Sequence, residues 1–239
     1  MVCSIEFTKV AALPIEFKIR THSNDEALVK ERRSHIVLCC TRVFAKKGYS
    51  HSSMRELAKA CYMSIGNLYH YFGSKEQILY SIINDATLRQ VEYVEHFASE
   101  TQNLDPVNAL YELTRKFLEW HDANQNVTLF IYQETRALPQ KAQEQIFVSE
   151  GRIQAIFEAA IVRGIDSGDF KTSEPGLIAN NIMVIGHAWA LRRWSLQKRW
   201  TFDAFAKGEI DSILNLLQLQ GGDPAGKKRK QHNRVSVKK

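Results

Sequence analysis

The sequence has few residues of the kinds that mark fibrous, disordered or membrane-spanning chains. Its 239 residues include only 12 glycines and 5 prolines, and 44% of them are apolar, which suits a chain that buries a core in one or two domains. No run of 18 uncharged apolar residues occurs, and the N-terminal segment is interrupted by Glu6, Lys9 and Glu16. Neither a membrane span nor a signal peptide is therefore predicted, and we expect a cytoplasmic protein.

Cysteine is scarce as well, and its spacing favours reduced thiols. The four cysteines form no CxxC pair, and Cys39 and Cys40 are adjacent, which is unlike a disulfide framework. His35 and Cys39 have the i, i+4 spacing of two metal ligands on a helix, but a second pair of ligands is missing and helix packing is the favoured explanation. No metal site is predicted.

The sequence also lacks the signature motifs of common enzyme classes. We find no GxSxG, no HExxH, no GxxxxGK[ST] and no strand-led GxGxxG. No catalytic residue and no cofactor are predicted, and we expect a protein that is not an enzyme.

The formal net charge of +6 is unevenly distributed along the chain. Residues 227–239 carry seven Lys and Arg and no acid, and residues 26–80 carry nine basic and four acidic groups. Residues 81–226 carry 13 basic and 19 acidic groups. A basic N-terminal block of the kind that binds nucleic acid thus precedes an acidic one. The basic tail is either an electrostatic arm for DNA or a solubilising end.

Apolar residues recur at helical spacing from residue 26 to residue 220, and no strand-like alternation is evident. The chain is predicted to be all-α with about nine helices, between flexible ends at 1–25 and 221–239. Helix starts are marked by capping-box spacing at Ser53 and Ser74, by Asp105 before a proline, and by Ser173 with a proline at residue 175.

The most specific pattern is GYSHSSMRELAKACYMSIGNLYHYFGSKEQIL, which begins at Gly48. Two short helices separated by Cys61-Tyr-Met-Ser64 have the spacing of a helix-turn-helix, in which Leu57, Leu68 and Phe72 pack inward. Over residues 33–80 the sequence resembles the DNA-binding domain of the TetR family of bacterial transcriptional regulators. The turn position that this family usually fills with glycine is Tyr62 here, which predicts local strain if the backbone needs a positive φ.

The resemblance implies which side chains contact DNA. Ser64 starts the recognition helix, five residues that follow it face the major groove, and four others contact phosphate or, for Arg55, a base or a phosphate. The implied DNA-binding residues are Ser53, Arg55, Ser64, Ile65, Gly66, Asn67, Tyr69, His70, Tyr71 and Lys75. Asn67 can read an adenine edge with both ends of its amide. At Ile65 the two arguments conflict, because spacing alone places residues 65, 68, 69 and 72 on one apolar face.

The resemblance also implies a domain order and partners. A helix-turn-helix domain at 26–80 is expected to precede a helical effector-binding and dimerisation domain at 81–220. The partners would be a palindromic double-stranded operator, a small-molecule effector and a second copy of the chain. The two copies would be joined through helices near 175–195 and 202–219, with Ile213 and Leu217 facing the partner. The first hypothesis is a repressor released by its effector. The alternative is an all-α enzyme or ligand carrier with an incidental helix-turn-helix.

The effector is predicted only by general chemistry and a weaker similarity. Apolar and polar side chains between residues 106 and 166 could line a cavity, although core packing would explain the same residues. The candidates are Phe117, Trp120, Phe130, Tyr132, Gln133, Arg136, Arg152, Ile156 and Phe157. The stretch FIYQETRALP, followed by a long helix, is similar to TetR-type regulators that respond to acyl-CoA thioesters, so an acyl-CoA-like effector is expected.

Overall fold

The computed structural model describes residues 25–219, and this part of the chain contains nine α-helices and no strand. The helices are α1 (Glu26–Lys47), α2 (Met54–Ala60), α3 (Ile65–Tyr71), α4 (Lys75–Thr101), α5 (Pro106–Ala123), α6 (Gln125–Glu134), α7 (Gln140–Ser167), α8 (Pro175–Leu196) and α9 (Phe202–Leu219). The all-α prediction is confirmed for these residues. Residues 1–24, which include Cys3, and residues 220–239, which include the basic tail, lie outside the described residues.

Local caps set most of the predicted helix starts. Ser53 and Glu56 form the reciprocal capping box, and Asp105 accepts a hydrogen bond from the Asn108 backbone N–H at 3.0 Å. The prediction for α8 is correct for Pro175, where the helix begins, but wrong for Ser173 as its cap. The preceding residue is Glu174, whose side chain makes no cap. Proline suits this first helical position because its fixed φ is helical and its missing N–H is not needed.

The described chain forms two compact units. The first contains the residues up to Glu95 together with Ala123–Ile153, and the second contains His96–Asp122 and the residues from Gln154 onward. The domain limits of 26–80 and 81–220 are divisions by function and stay a prediction. No helix within residues 25–219 combines the length and the apolar character that crossing a membrane requires.

The core of the first unit lies beneath the predicted helix-turn-helix. Ile36, Phe44, Leu57, Leu68 and Phe72 are at most 1% exposed and form one apolar cluster. The cluster also takes in residues of α4 and α7, among them Ile78, Ile83 and Ile146. The predicted inward packing of the two short helices is therefore confirmed.

In the second unit, α8 and α9 pack on α5. Gly186 of α8 lies so close to Phe117 and His121 that an added Cβ would be 2.5 Å and 2.8 Å from their rings. The buried Trp189 ring contacts Phe202 and Phe205, with centroid distances of 5.7 Å and 4.7 Å. The close approach of helices that Gly186 allows thus occurs within one chain.

Two glycines of α7 differ sharply in their surroundings, which gives a matched test of the packing. A Cβ on Gly164 would be 2.0 Å from the buried Phe170 ring, whereas a Cβ on Gly151 would meet nothing within 4 Å. We expect Gly164→Ala to lower the free energy of unfolding by about 1–3 kcal/mol through overpacking. Gly151→Ala should raise it by roughly 0.5–1 kcal/mol, because alanine is the better helix former. Urea denaturation of both variants checks this, and an equally stable Gly164→Ala would contradict the packing.

Candidate nucleic-acid interface

The helix-turn-helix consists of two seven-residue helices, α2 and α3, joined by residues 61–64. Each helix starts with a serine: Ser53 Oγ accepts from the Glu56 N–H, and Ser64 Oγ accepts from the Asn67 N–H at 3.1 Å. Isolated helices of this length are unstable in water, so the caps and the underlying apolar cluster hold them in place.

The turn has the strained geometry that the sequence predicts. Tyr62 has a φ of 55° and is the only non-glycine residue of the described chain with a positive φ. The left-handed conformation costs a side chain about 1–2 kcal/mol, a penalty that glycine avoids. Tyr62 is also 95% exposed, so its ring gains almost nothing from burial to offset this strain.

Helix α3 buries one face and leaves the other open. Leu68 is fully buried, whereas Ile65 and Tyr69 are 41% and 47% exposed. Gly66, Asn67 and His70 are exposed too. The conflict at Ile65 is thus settled in favour of exposure, and the apolar face inferred from spacing alone is wrong for Ile65 and Tyr69. The five residues proposed to face the major groove all lie on the exposed part of α3.

Three of the residues proposed to contact phosphate already make hydrogen bonds within the protein. The Ser53 hydroxyl donates to Glu56 Oε2 at 3.1 Å, and the Tyr71 carbonyl accepts from Arg33 at 2.5 Å. The Lys75 ammonium donates to the carbonyl oxygens of Tyr49 and Ser52, both at 2.9 Å. Lys75 therefore fixes the segment before α2, and a phosphate contact would have to use its third proton.

Lys75 belongs to a polar cluster around Tyr49 that the sequence analysis did not identify. The Tyr49 hydroxyl donates to Glu76 at 3.1 Å, its backbone N–H donates to Glu134 at 3.3 Å, and Lys75 lies 4.2 Å above its ring. Burial, together with the hydrogen bond to Glu76, raises the pKa of Tyr49. The Glu76 backbone N–H and the Ser74 hydroxyl lower the pKa of Glu76, which keeps the acceptor ionised. The cluster joins α4 and α6 to the α1–α2 connection.

Two further exposed residues, Lys59 and Tyr62, border the interface and were missed as site residues. Together with Arg55 and Ile65 they line a groove between α2 and α3. The i, i+4 pair of basic residues at 55 and 59 was the available signal, because it places two cations on one side of α2.

The predicted effector residues do not form one set. In the second unit Phe117 and Phe157 are fully buried and pack edge to face, with centroids 5.3 Å apart, while Trp120 and Ile156 are half-buried. In the first unit Phe130 stacks on Phe44, and Tyr132, Gln133, Arg136 and Arg152 are exposed. Arg152 pairs with Glu95 at 2.6 Å. Core packing thus accounts for Phe117 and Phe157.

The second unit also contains a buried histidine pair, His121 of α5 and His187 of α8. Their rings meet edge to face with centroids 4.9 Å apart, next to Phe117. Burial lowers the pKa of His187 to about 4. Burial and the neighbouring His187 also lower the pKa of His121 well below its usual range. Both rings are therefore neutral at pH 7.

Comparison with known proteins decides the family. The model for "Bacterial regulatory proteins, tetR family" matches residues 41–82, and that for "Tetracyclin repressor-like, C-terminal domain" matches residues 103–195. The chain belongs to the TetR family. The TetR-family chain is 26% identical to the transcriptional regulator HbdR of Aromatoleum sp. (strain CIB), over 84% of this chain and 85% of the relative.

Solved structures share the fold of this TetR-family chain. AibR in complex with isovaleryl coenzyme A and operator DNA matches with a TM-score of 0.63 and 23% identity, over 78% of this chain and 98% of AibR. FadR from Bacillus subtilis in complex with stearoyl-CoA matches with a TM-score of 0.61 and 20% identity, over 78% and 97%. The protein is a DNA-binding transcriptional regulator, and the alternative of an all-α enzyme or carrier is not favoured.

Asn67 offers the sharpest test of base reading by α3. Its side chain is exposed, and its helix is capped through its backbone N–H, so Asn67→Ala should leave the fold intact. Losing a bidentate contact costs about 1–3 kcal/mol in discrimination between bases. We therefore expect Asn67→Ala to flatten the preference for a duplex selected from a random pool, measured by fluorescence anisotropy. Asn126→Ala, at an exposed asparagine of α6, is the control, and unchanged preference in Asn67→Ala would contradict the register of α3.

Proposed function

We propose that this TetR-family regulator is a homodimeric repressor that binds a palindromic operator and is released by an effector of the acyl-CoA class. The observation that carries the effector class is the shared fold: AibR, with the same architecture, forms a complex with both isovaleryl coenzyme A and operator DNA. An effector of this kind acts through its different affinities for the DNA-competent and incompetent states.

A pocket of the second unit offers a place for an acyl chain. It has a volume of about 310 Å³ and lies among α4, α5 and α7. Its walls are Ala98, Thr101, Gln102, Ala109, Leu113, Ile156, Ala159, Ala160 and Arg163. The lining is mostly apolar, and Ile156 is one of the residues that the sequence analysis proposed. Such a lining suits a hydrocarbon chain better than a sugar or another strongly polar ligand.

Arg163 supplies a cation at the same pocket. Its two terminal nitrogens donate to the carbonyl oxygens of Gln102 and Leu104 at 2.6 Å and 3.3 Å, while its buried Nε has no partner among the described residues. Because both acceptors are neutral carbonyl oxygens, they do not offset the positive charge of the Arg163 guanidinium, which can therefore attract an anionic group of a ligand. Arg163 is therefore the candidate for the polar part of the ligand at this pocket. Arg136 and Arg152 belong to the first unit and stay predictions, and Arg152 is paired with Glu95.

Filling the pocket gives a test of the effector. Wild-type protein bound to its selected duplex should lose about 5–150-fold in affinity when a matching acyl-CoA is added. Ala160→Phe places a ring in the pocket and should keep DNA binding but lose this response. Ala155→Phe, at an exposed position of the same helix, is the control and should respond like the wild type. Anisotropy titrations with short, medium and long acyl-CoAs, free CoA and fatty acids measure the response.

Two results of these titrations would count against the proposal. If acyl-CoAs bind and release Ala160→Phe from the duplex as readily as they release the wild type, the ligand binds outside this pocket. If none of these ligands changes operator affinity, the proposed effector class is wrong. Repression is tested separately, by measuring reporter expression in the presence and absence of the regulator.

For the dimer, we keep the two helices proposed from the sequence and change the residues proposed to contact the partner. Ile213 and Leu217, which we expected to face a partner, are 6% and 0% exposed within the single chain, because α9 packs them inward. On the outer faces of the same helices, Leu177, Val184 and Leu216 are 57%, 52% and 44% exposed. Two such helices from each subunit could form a four-helix bundle, and we propose this face as the dimer interface.

A charge on this outer face should separate the subunits. We expect Val184→Glu and Leu216→Glu to weaken dimerisation by at least about 30-fold, equivalent to roughly 2 kcal/mol, because each buries a carboxylate without a partner. Sedimentation equilibrium measures the dissociation constant, and operator affinity should fall with it. Val148→Glu, on the similarly exposed Val148 of α7, should stay dimeric. Unchanged dimers of both variants would place the interface elsewhere.

A further inference from the structure

The groove between α2 and α3 carries an uncompensated positive charge. It has a volume of about 510 Å³, and its lining includes Arg55, Lys59, Tyr62 and Ser64. Glu56, the acidic residue of α2, forms an ion pair with Lys47 and closes the capping box at Ser53. Among residues 25–219, neither Arg55 nor Lys59 has an acidic partner. The groove therefore suits an anion.

Tyr62 forms one wall of this groove at a cost to the fold. Its backbone is left-handed, and 95% of its surface is open to water. A tyrosine in this position strains the turn and buries almost no apolar area in return, so protein stability does not explain it. Strained residues cluster at binding sites, where a ligand contact uses the geometry that the strain maintains.

The position of the groove indicates the ligand. Ser64 and Ile65 belong both to the groove lining and to the start of α3, the helix whose exposed side carries Asn67 and His70. A duplex that meets α3 brings its phosphodiester backbone alongside the bases that are read. Lys and Arg neutralise phosphate charge, and tyrosine hydroxyl groups are common donors to phosphate oxygens.

We propose that this groove binds a segment of the DNA sugar-phosphate backbone and that Tyr62 is a DNA contact of this regulator. Arg55 and Lys59 attract the phosphate, and the Tyr62 hydroxyl donates to one of its oxygens from the side of the turn. The contact is independent of base sequence and positions α3 on the duplex. A turn built with glycine would be less strained and would lack this contact.

Replacing Tyr62 separates the DNA contact from the fold. Tyr62→Gly and Tyr62→Asn both tolerate the left-handed backbone, so their melting temperatures should equal or exceed that of the wild type. A hydrogen bond to a charged group is strong enough that its loss should weaken binding to the selected duplex about tenfold. Tyr62→Phe, which keeps the ring but loses the hydroxyl, should show most of the same loss. Binding to random duplex should fall in parallel.

The salt dependence and a phosphate map complete the test, all with the full-length protein. Lys59→Gln should reduce the slope of log affinity against log salt by about 0.9, the value for one phosphate contact on duplex DNA. Lys141→Gln, at an exposed lysine of α7, should leave the slope unchanged. In an ethylation-interference experiment, ethylation of one phosphate in each half-site should block binding of the wild type. The same modified phosphate should no longer block binding of Tyr62→Gly.

The proposal is overturned if both Tyr62→Gly and Tyr62→Asn bind operator and random duplex as tightly as the wild type. It is also overturned if their interference patterns match the wild-type pattern, because a loss of affinity without a lost phosphate contact would come from a changed turn. Tyr62→Asn is the control for the extra backbone freedom that glycine introduces.

Discussion

The apolar cluster beneath α2 and α3 is the constraint on which the DNA-facing surface depends. Each of these helices has only seven residues and would not persist alone in water. Leu57 and Leu68 are fully buried in the cluster, and Phe72 is 1% exposed. Because the inward residues are fixed by packing, the rotation of α3 about its axis is fixed too, and with it the set of side chains turned outward.

The same cluster extends beyond the three N-terminal helices. Leu138, Ala142 and Ile146 are part of it, and Phe130 of α6 stacks on Phe44. The carboxylate of Glu134, at the end of α6, accepts from the Tyr49 backbone N–H. A displacement of α6 must therefore either break these contacts or move the segment that leads into α2.

Features set by neighbours in sequence were predictable, and features set by distant packing were not. The capping box at Ser53 follows from the spacing of two nearby residues, and the structure shows it. The positive φ at Tyr62 was expected only through the resemblance to the TetR family, in which glycine usually fills this position. Helical periodicity identified Ile213 and Leu217 as apolar, but it cannot tell whether such a stripe packs within its own chain or against a second copy. The carbonyl partners of Lys75 lie 23 and 26 residues away, and no local pattern in the sequence specifies them.

The buried histidine pair makes the second unit sensitive to acid. Burial holds the pKa of His187 at about 4 in the folded protein, below its ordinary value of 6.5, and the pKa of His121 is lowered as well. Above pH 6.5 both rings are neutral in the folded and in the unfolded chain, so their lowered pKa values do not reduce the free energy of unfolding. As the pH falls below 6.5, protons bind the unfolded chain preferentially, and by about pH 4 His187 alone represents roughly 3 kcal/mol of lost stability. The interior that joins α5 to α8 is thus a place where proton uptake and loosening of the helices occur together.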